Sequence, residues 1–336
     1  MTRPEAARPE VAQPEADRPT GINGGTVMHL PIKPGLSGLY LGNVLVPGRF
    51  EPHRVQGFAG RAADTAELTT ARIVANYGLD KIPGWGHTDE VYFLKFYAGH
   101  TFRFRTSFGS SDRAVAAEMG VRRVLPPPFL GTGYFPGVDH PLPEYVLLLT
   151  EIPVGAELWV RRADESEQRL GQYHSRKVGW ISEEKGAFGE SAWFAPPVAL
   201  PPTIRRGFAA RYRGGDFDAD LAGPGRFVLY PMPGTQAPQD FRESYGARMT
   251  VVDQAELEGL TYVRNLCTWR GANFEILDRT PYTSELHLVD EDYLVAGELG
   301  LIEVDYRVWR ATAPNSELTD VRVDVVPVPI EGIMAS

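Results

Sequence analysis

The feature that most constrains this 336-residue chain is a stretch written twice. Tyr212-Arg213-Gly214-Gly215-Asp216-Phe217-Asp218 lines up with Trp269-Arg270-Gly271-Ala272-Asn273-Phe274-Glu275, aromatic on aromatic and acid on acid. Further along, Asp253-Gln254-Ala255-Glu256-Leu257 corresponds to Pro314-Asn315-Ser316-Glu317-Leu318. The offset grows from 57 residues at Tyr212 and Trp269 to 61 at Asp253 and Pro314. The additional residues fall most simply in Asp290 to Gly300, where the pattern fits a short helix stopped by Gly300. In each copy a strand reaches the aromatic-Arg pair, turns on glycine and returns, a hairpin of the kind found in small β-barrels. Two tandem β-barrel-like modules are expected, at residues 205–260 and 261–326. Units of about 55 residues lie near the lower limit for folding alone, so each must pack on the other or on what precedes it.

What precedes them is of two kinds. Residues 2–20 string together Pro-Glu-Ala-like units without a leucine or an aromatic, too little apolar surface to offset the entropy of ordering, and the region 1–34 reads as a disordered leader. Residues 35–200 read as an α+β domain. A first strand is expected at Gly38-Leu39-Tyr40-Leu41. Asp64 with Glu67 three residues on fits a helix running to Gly78, and Ser111 fits the cap of a second helix ending at Gly120. Val91 to Phe96, Phe102 to Arg105, Tyr145 to Leu149, Ala156 to Arg161 and Arg169 to Tyr173 read as strands. The fold class is therefore α+β, a mixed β-rich domain followed by two small β-modules. Pro126 to Pro128 break regular structure as a surface loop, and Pro196-Pro197 with Pro201-Pro202 mark the linker.

Charge and motif content narrow the partners. The formal net charge is −9 and no basic run could neutralise a row of phosphates, so nucleic acid and anionic membranes are poor partners. No run approaches the ~18 apolar residues of a membrane span, and no signal-peptide core opens the chain. A cytoplasmic location follows, with export by a route lacking such a signal left open. The single cysteine, Cys267, forbids an internal disulfide and reads as a small buried apolar residue. Neither GxGxxG nor GxxxxGK[ST] occurs, and no GxSxG elbow or HExxH is present. His87 with Asp89 and Glu90 is the nearest approach to a metal cluster and reads as a solvated strand entry, so no metal is expected. Arg213 and Arg270, at matching turns, are candidate binding residues for a carboxylate or phosphate on a partner. Trp159, Trp180, Trp193 and Phe194 fit either core or interface.

Two resemblances add to this reading. CTWRGANFEI and the closing DYRVWRATAPNSELTDVR resemble uncharacterised repeat domains of actinobacterial proteins, some linked to polymorphic toxin systems, over about a third of the chain. Residues 38–160 resemble a mono-ADP-ribosyltransferase domain. Leu39-Tyr40-Leu41-Gly42 stands for its opening strand, Arg105-Thr106-Ser107-Phe108 for its Ser-Thr-Ser strand and Glu144-Tyr145-Val146-Leu147 for the strand that starts on the catalytic glutamate. Leu41 occupies the place where that family keeps an Arg or His. The resemblance implies NAD as substrate, with Tyr40, Thr106, Ser107 and Glu144 lining one cleft. Two functions stay open: a binding or accessory protein of a toxin-type system, acting through a protein partner and without a cofactor, or an NAD-consuming ADP-ribosyltransferase-like domain in residues 38–160.

Overall fold

The computed structural model describes residues 26–46, 49–66, 68–77, 79–81, 84–85, 89–99, 102, 104–106, 123–125, 145–183, 206–232, 234–244, 246–289, 293–305 and 308–328. Nine strands form a first sheet: β1 (Val27–Ile32), β2 (Arg54–Arg61), β3 (Glu90–Tyr97), β4 (Phe104–Thr106), β5 (Arg123–Leu125), β6 (Tyr145–Glu151), β7 (Glu157–Arg162), β8 (Glu167–Ser175) and β9 (Gly179–Ser182). Their order is β5-β4-β6-β2-β1-β3-β7-β8-β9, antiparallel throughout. Among the described residues four short α-helices accompany the strands: α1 (Pro34–Leu41), α2 (Ala62–Thr65), α3 (Thr70–Tyr77) and α4 (Tyr293–Glu298).

The described chain is nearly all-β, which corrects the α+β class expected from the sequence. The helix expected from Asp64 to Gly78 is two short pieces, α2 and α3, because the chain leaves helical geometry between Thr65 and Thr70. There Arg161 Nη1 donates to the carbonyls of Thr65 and Leu68 (3.3 and 3.1 Å), and Thr70 N–H and Oγ1 donate to Glu165 and the Arg162 carbonyl. Those tertiary partners replace the i→i−4 bonds a continuous helix would need. The strand expected at Gly38 to Leu41 is instead the second half of α1, which Pro34 opens at its first turn. Asn43 ends α1 with φ +50, and Val44 N–H reaches back to Leu39 O (3.0 Å). The Asn43 amide then bonds both backbone groups of Trp180 (2.6 and 3.0 Å), pinning α1 to β9. Gly179 is required beside it: a Cβ there would lie 2.0 Å from Asn43 Oδ1. The Ser111 helix and the proline clusters lie outside the described residues.

Eleven strands form the second sheet: β10 (Gly207–Tyr212), β11 (Gly215–Leu221), β12 (Arg226–Pro231), β13 (Arg242–Ser244), β14 (Ala247–Asp253), β15 (Gly259–Trp269), β16 (Ala272–Arg279), β17 (Thr283–Leu288), β18 (Ile302–Asp305), β19 (Val308–Pro314) and β20 (Thr319–Pro327). Ten run in the order β13-β14-β12-β11-β10-β15-β16-β17-β19-β18, and β20 pairs with β15. The two tandem modules expected from the repeat share one continuous sheet. The cause is the length of β15: its first half pairs with β10 and its second half with β16 on the same edge, leaving the opposite edge to β20. The expected helix before Gly300 is present as α4, closed by Leu301 N–H to Ala296 O (2.9 Å) with Gly300 at φ +64.

One apolar core runs through both sheets, from Met28, Leu30 and Leu94 to Phe208, Phe217 and Phe227. A second, smaller core of Trp269, Phe274, Leu286, Leu288 and Trp309 lies under α4. Cys267 belongs to it, and burial pushes its thiol up to about 11, as suits a small apolar residue rather than a nucleophile.

Candidate functional site

Two places concentrate polar or exposed apolar groups, and they differ in kind. The first is a buried seam between the sheets. Arg54 of β2, 4 % exposed, bonds Glu151 of β6 (3.2 Å) and Glu275 of β16 (3.1 Å). Glu51 approaches the same guanidinium and also pairs with Arg206. A second crossing joins Arg176, at the β8–β9 turn, to Asp220 of β11 (2.5 Å), whose other oxygen accepts from Tyr230 (2.9 Å). Burial works against the charge on Arg54 and on Arg176, but the facing acids outweigh it and hold both guanidinium groups above their usual range. Buried pairs of this sort fix one way of docking the sheets more than they add net stability. A cavity of about 80 Å³ beside Arg54, lined also by Tyr40, Arg49, Gln56, Asp305 and Arg310, has room for only a few waters.

Two histidines are neutral groups: His53 beside this seam, and His29 on β1 against Thr65 and Phe93. Burial, then Arg176 and Arg54, pushes the His53 imidazole down to about 3, and burial with Lys95 and Arg161 does the same to His29. The Glu51 contact with His53 (3.6 Å) is therefore not an ion pair near neutral pH.

The second place is the outer edge of β20. Val321, Val323 and Val325 alternate along it at 46, 62 and 53 % exposure, on one sheet face. Val325 lies opposite Val263 and Val323 opposite Asn265 of β15. Next to them a groove of about 510 Å³ runs over β10 and β15, with Ala209, Arg211, Thr261 and Val263 in its wall. Among the described residues β20 pairs with no strand but β15. The sequence contains the Val-x-Val-x-Val alternation, but alternation marks a two-faced strand and not its position at an edge, so nothing in the sequence sets these valines apart. The seam has no sequence signal either, since its charges lie 221 residues apart in the chain at Arg54 and Glu275.

Arg213 and Arg270 hold the two hairpin turns with side chains more than half exposed. Arg213 stacks on Tyr212 (4.9 Å) and bonds Asp240 (3.3 Å); Arg270 stacks on Trp269 (4.4 Å) and faces Glu317 (3.7 Å). Each guanidinium thus carries a carboxylate of its own chain. Tyr40 is buried on α1 against Phe50 and Trp180, and burial with Asp305 raises its hydroxyl well above the usual range. Thr106 ends β4 opposite Tyr145 of β6. Ser107 and Glu144 lie outside the described residues, as do His87, Trp193 and Phe194. Trp180 is core, and Trp159 is half-buried with Lys95 over its ring. Among the described residues no group of three His, Cys, Asp or Glu side chains could hold a metal ion, and no helix is long and apolar enough to cross a membrane. Compared with known proteins, the chain matches no family model, no curated protein and no solved structure.

Proposed function

We propose that the chain is a binding or accessory protein that acts by protein interaction, through the β20 edge. The observation that supports this reading is the row of exposed valines on an edge strand, beside a groove large enough to take side chains of a partner strand. An open edge offers backbone donors and acceptors for strand addition, while alternate side chains supply selectivity. A toxin-type setting rests on the resemblance of CTWRGANFEI and DYRVWRATAPNSELTDVR alone. The test is cross-linking of the full chain in its source cell, with Val323→Glu as control. A protein cross-linked at β20 and lost in the variant is the expected result; cross-links confined to other surfaces and unchanged by Val323→Glu would refute the reading.

The alternative is an NAD-consuming ADP-ribosyltransferase-like domain in residues 38–160. It draws on the pairing of Thr106 with Tyr145, which sets two of the segments it requires on neighbouring strands. Expression of the chain in a host cell separates the readings. Growth arrest with falling NAD favours the enzyme, and harmless expression favours the binding protein.

A further inference from the structure

The outward-facing backbone of β20 can be read from its pairing. Val328 N–H donates to Leu260 O (2.8 Å), and along an antiparallel pair residues bonded to the neighbour alternate with residues whose N–H and C=O point away. Val326, Asp324 and Arg322, opposite Tyr262, Arg264 and Leu266, therefore face β15. Val323 and Val325 present their backbone groups to the open side. Two features bound this edge. Pro327 stands at an outward position and has no N–H to offer. At the other end the register slips between Leu266 and Thr268, where Asp320 takes φ +49.

The side chains along the bounded edge are self-complementary in one register. When two β20 strands meet antiparallel about a two-fold axis at Val323, Val323 faces its own copy and Val321 faces Val325 of the second copy. Arg322 then faces Asp324 of the second copy, twice over. Centring on Asp324 or on Arg322 sets like charges face to face, which is destabilising, and centring on Val325 brings the donorless Pro327 into the pairing. Asp324 already accepts from Arg264 (2.7 Å), so the favoured register extends an existing pair into an alternating row of Arg264, Asp324 and Arg322 of the second copy. Charges on an edge commonly serve to keep other chains away. Here they alternate in sign, and so disfavour the centrings on Arg322 and Asp324, while Pro327 disfavours that on Val325 and the irregular backbone at Asp320 disfavours that on Val321.

We propose that β20 pairs with β20 of a second copy of this chain, antiparallel and centred on Val323, joining two eleven-stranded sheets into one across an isologous interface. The proposal rests on β20 being the interaction edge, and it names the partner. Sedimentation and native mass spectrometry of the full chain test it. The wild type should show a concentration-dependent dimer. Val323→Pro removes an outward N–H and leaves the bonds to β15 in place, so it should give a monomer whose melting temperature matches that of the wild type at concentrations where the wild type is itself monomeric. Arg322→Asp alone and Asp324→Arg alone should each weaken the dimer at least tenfold, and an equimolar mixture of the two should form a one-to-one heterodimer, because opposite charges face each other again at both positions. A wild type that stays monomeric at its highest soluble concentration overturns the proposal, as does a dimer indifferent to Val323→Pro, or a mixture that yields no heterodimer. A monomer whose Val323 and Val325 amides gain exchange protection only in cell extract would overturn self-pairing while leaving the interaction reading in place.

Discussion

At the β10–β11 turn, Arg213 stacks over Tyr212, and Asp240 contacts both; at the β15–β16 turn, Arg270 stacks over Trp269, and Glu317 contacts both. Both turns place Arg and Gly at positive φ, +48 and +74 in one, +48 and +81 in the other, the geometry that a tight two-residue hairpin requires. Each turn aromatic also packs edge to face on the aromatic five residues later, Phe217 or Phe274. Each return strand carries a buried acid to the first sheet, Asp220 to Arg176 and Glu275 to Arg54. The hairpins differ in what surrounds them. Tyr212 and Phe217 belong to the core that runs through both sheets, whereas Trp269 and Phe274 anchor the smaller core under α4. A local turn can be the same twice while its packing is not, because turn geometry is set by neighbours in sequence and packing by whatever the rest of the chain brings.

The sharpest probe of that difference is the pair Trp269→Ala and Tyr212→Ala. Each should cost about 3 to 5 kcal/mol in chemical unfolding, with Trp269→Ala the larger because its small core has fewer neighbours to close the gap. Amide exchange should rise in β16, β17 and α4 for Trp269→Ala only. Equal costs with identical exchange patterns would dissolve the distinction between the two cores.

Next come the two crossings. Arg54→Met strands Glu151 and Glu275 together, and should cost about 3 to 5 kcal/mol. Arg176→Met strands Asp220 alone, which still accepts from Tyr230, and should cost less. A reversed order would mean that the second hairpin leans on the first sheet less than its charges indicate.

Acid titration probes the first sheet, on which both hairpins dock. His29 and His53 are held near 3 when folded and rise to about 6.5 when unfolded, so the unfolded chain binds more protons between those values. Stability is complete above about pH 6.5 and declines as pH falls toward 3, by up to about 1.4 kcal/mol per pH unit for each histidine. Between pH 6.5 and about 4.5, above the carboxylate range, His53→Gln should flatten part of that decline. An unchanged slope in the variant would place the acid sensitivity elsewhere.

The smallest effect is also the most even. Gly214→Ala and Gly271→Ala add a methyl group that meets nothing within 4 Å, so each should cost about 1 kcal/mol through the backbone alone. Unequal costs would show that the two turns are not the same structure.

Local signals were readable wherever neighbours in sequence decide the outcome. Val91 to Phe96 alternate and form β3, and Gly300 closes α4 where the pattern placed a helix stop. Arg213-Gly214 and Arg270-Gly271 are turns because few dipeptides tolerate positive φ. Signals failed where tertiary partners compete with local ones. Leu39 to Leu41 carry apolar residues suited to a strand, yet Pro34 and the Asn43 amide settle them into helix α1. Thr65 to Thr70 carry a helix pattern, yet Arg161 and Glu165 capture their polar groups.

By itself the sequence determined the strand-rich grammar, the two glycine turns and the buried thiol at Cys267. Each of these depends on composition or on residues a few positions apart. Only the tertiary structure decided that β15 would join both hairpins in one sheet, that Arg54 would meet Glu275, and that β20 would be left at the edge. An alternating strand looks the same in sequence at the centre of a sheet and at its rim, because the backbone groups that distinguish the two are identical in every residue but proline, and which of them find partners is settled only when distant strands meet.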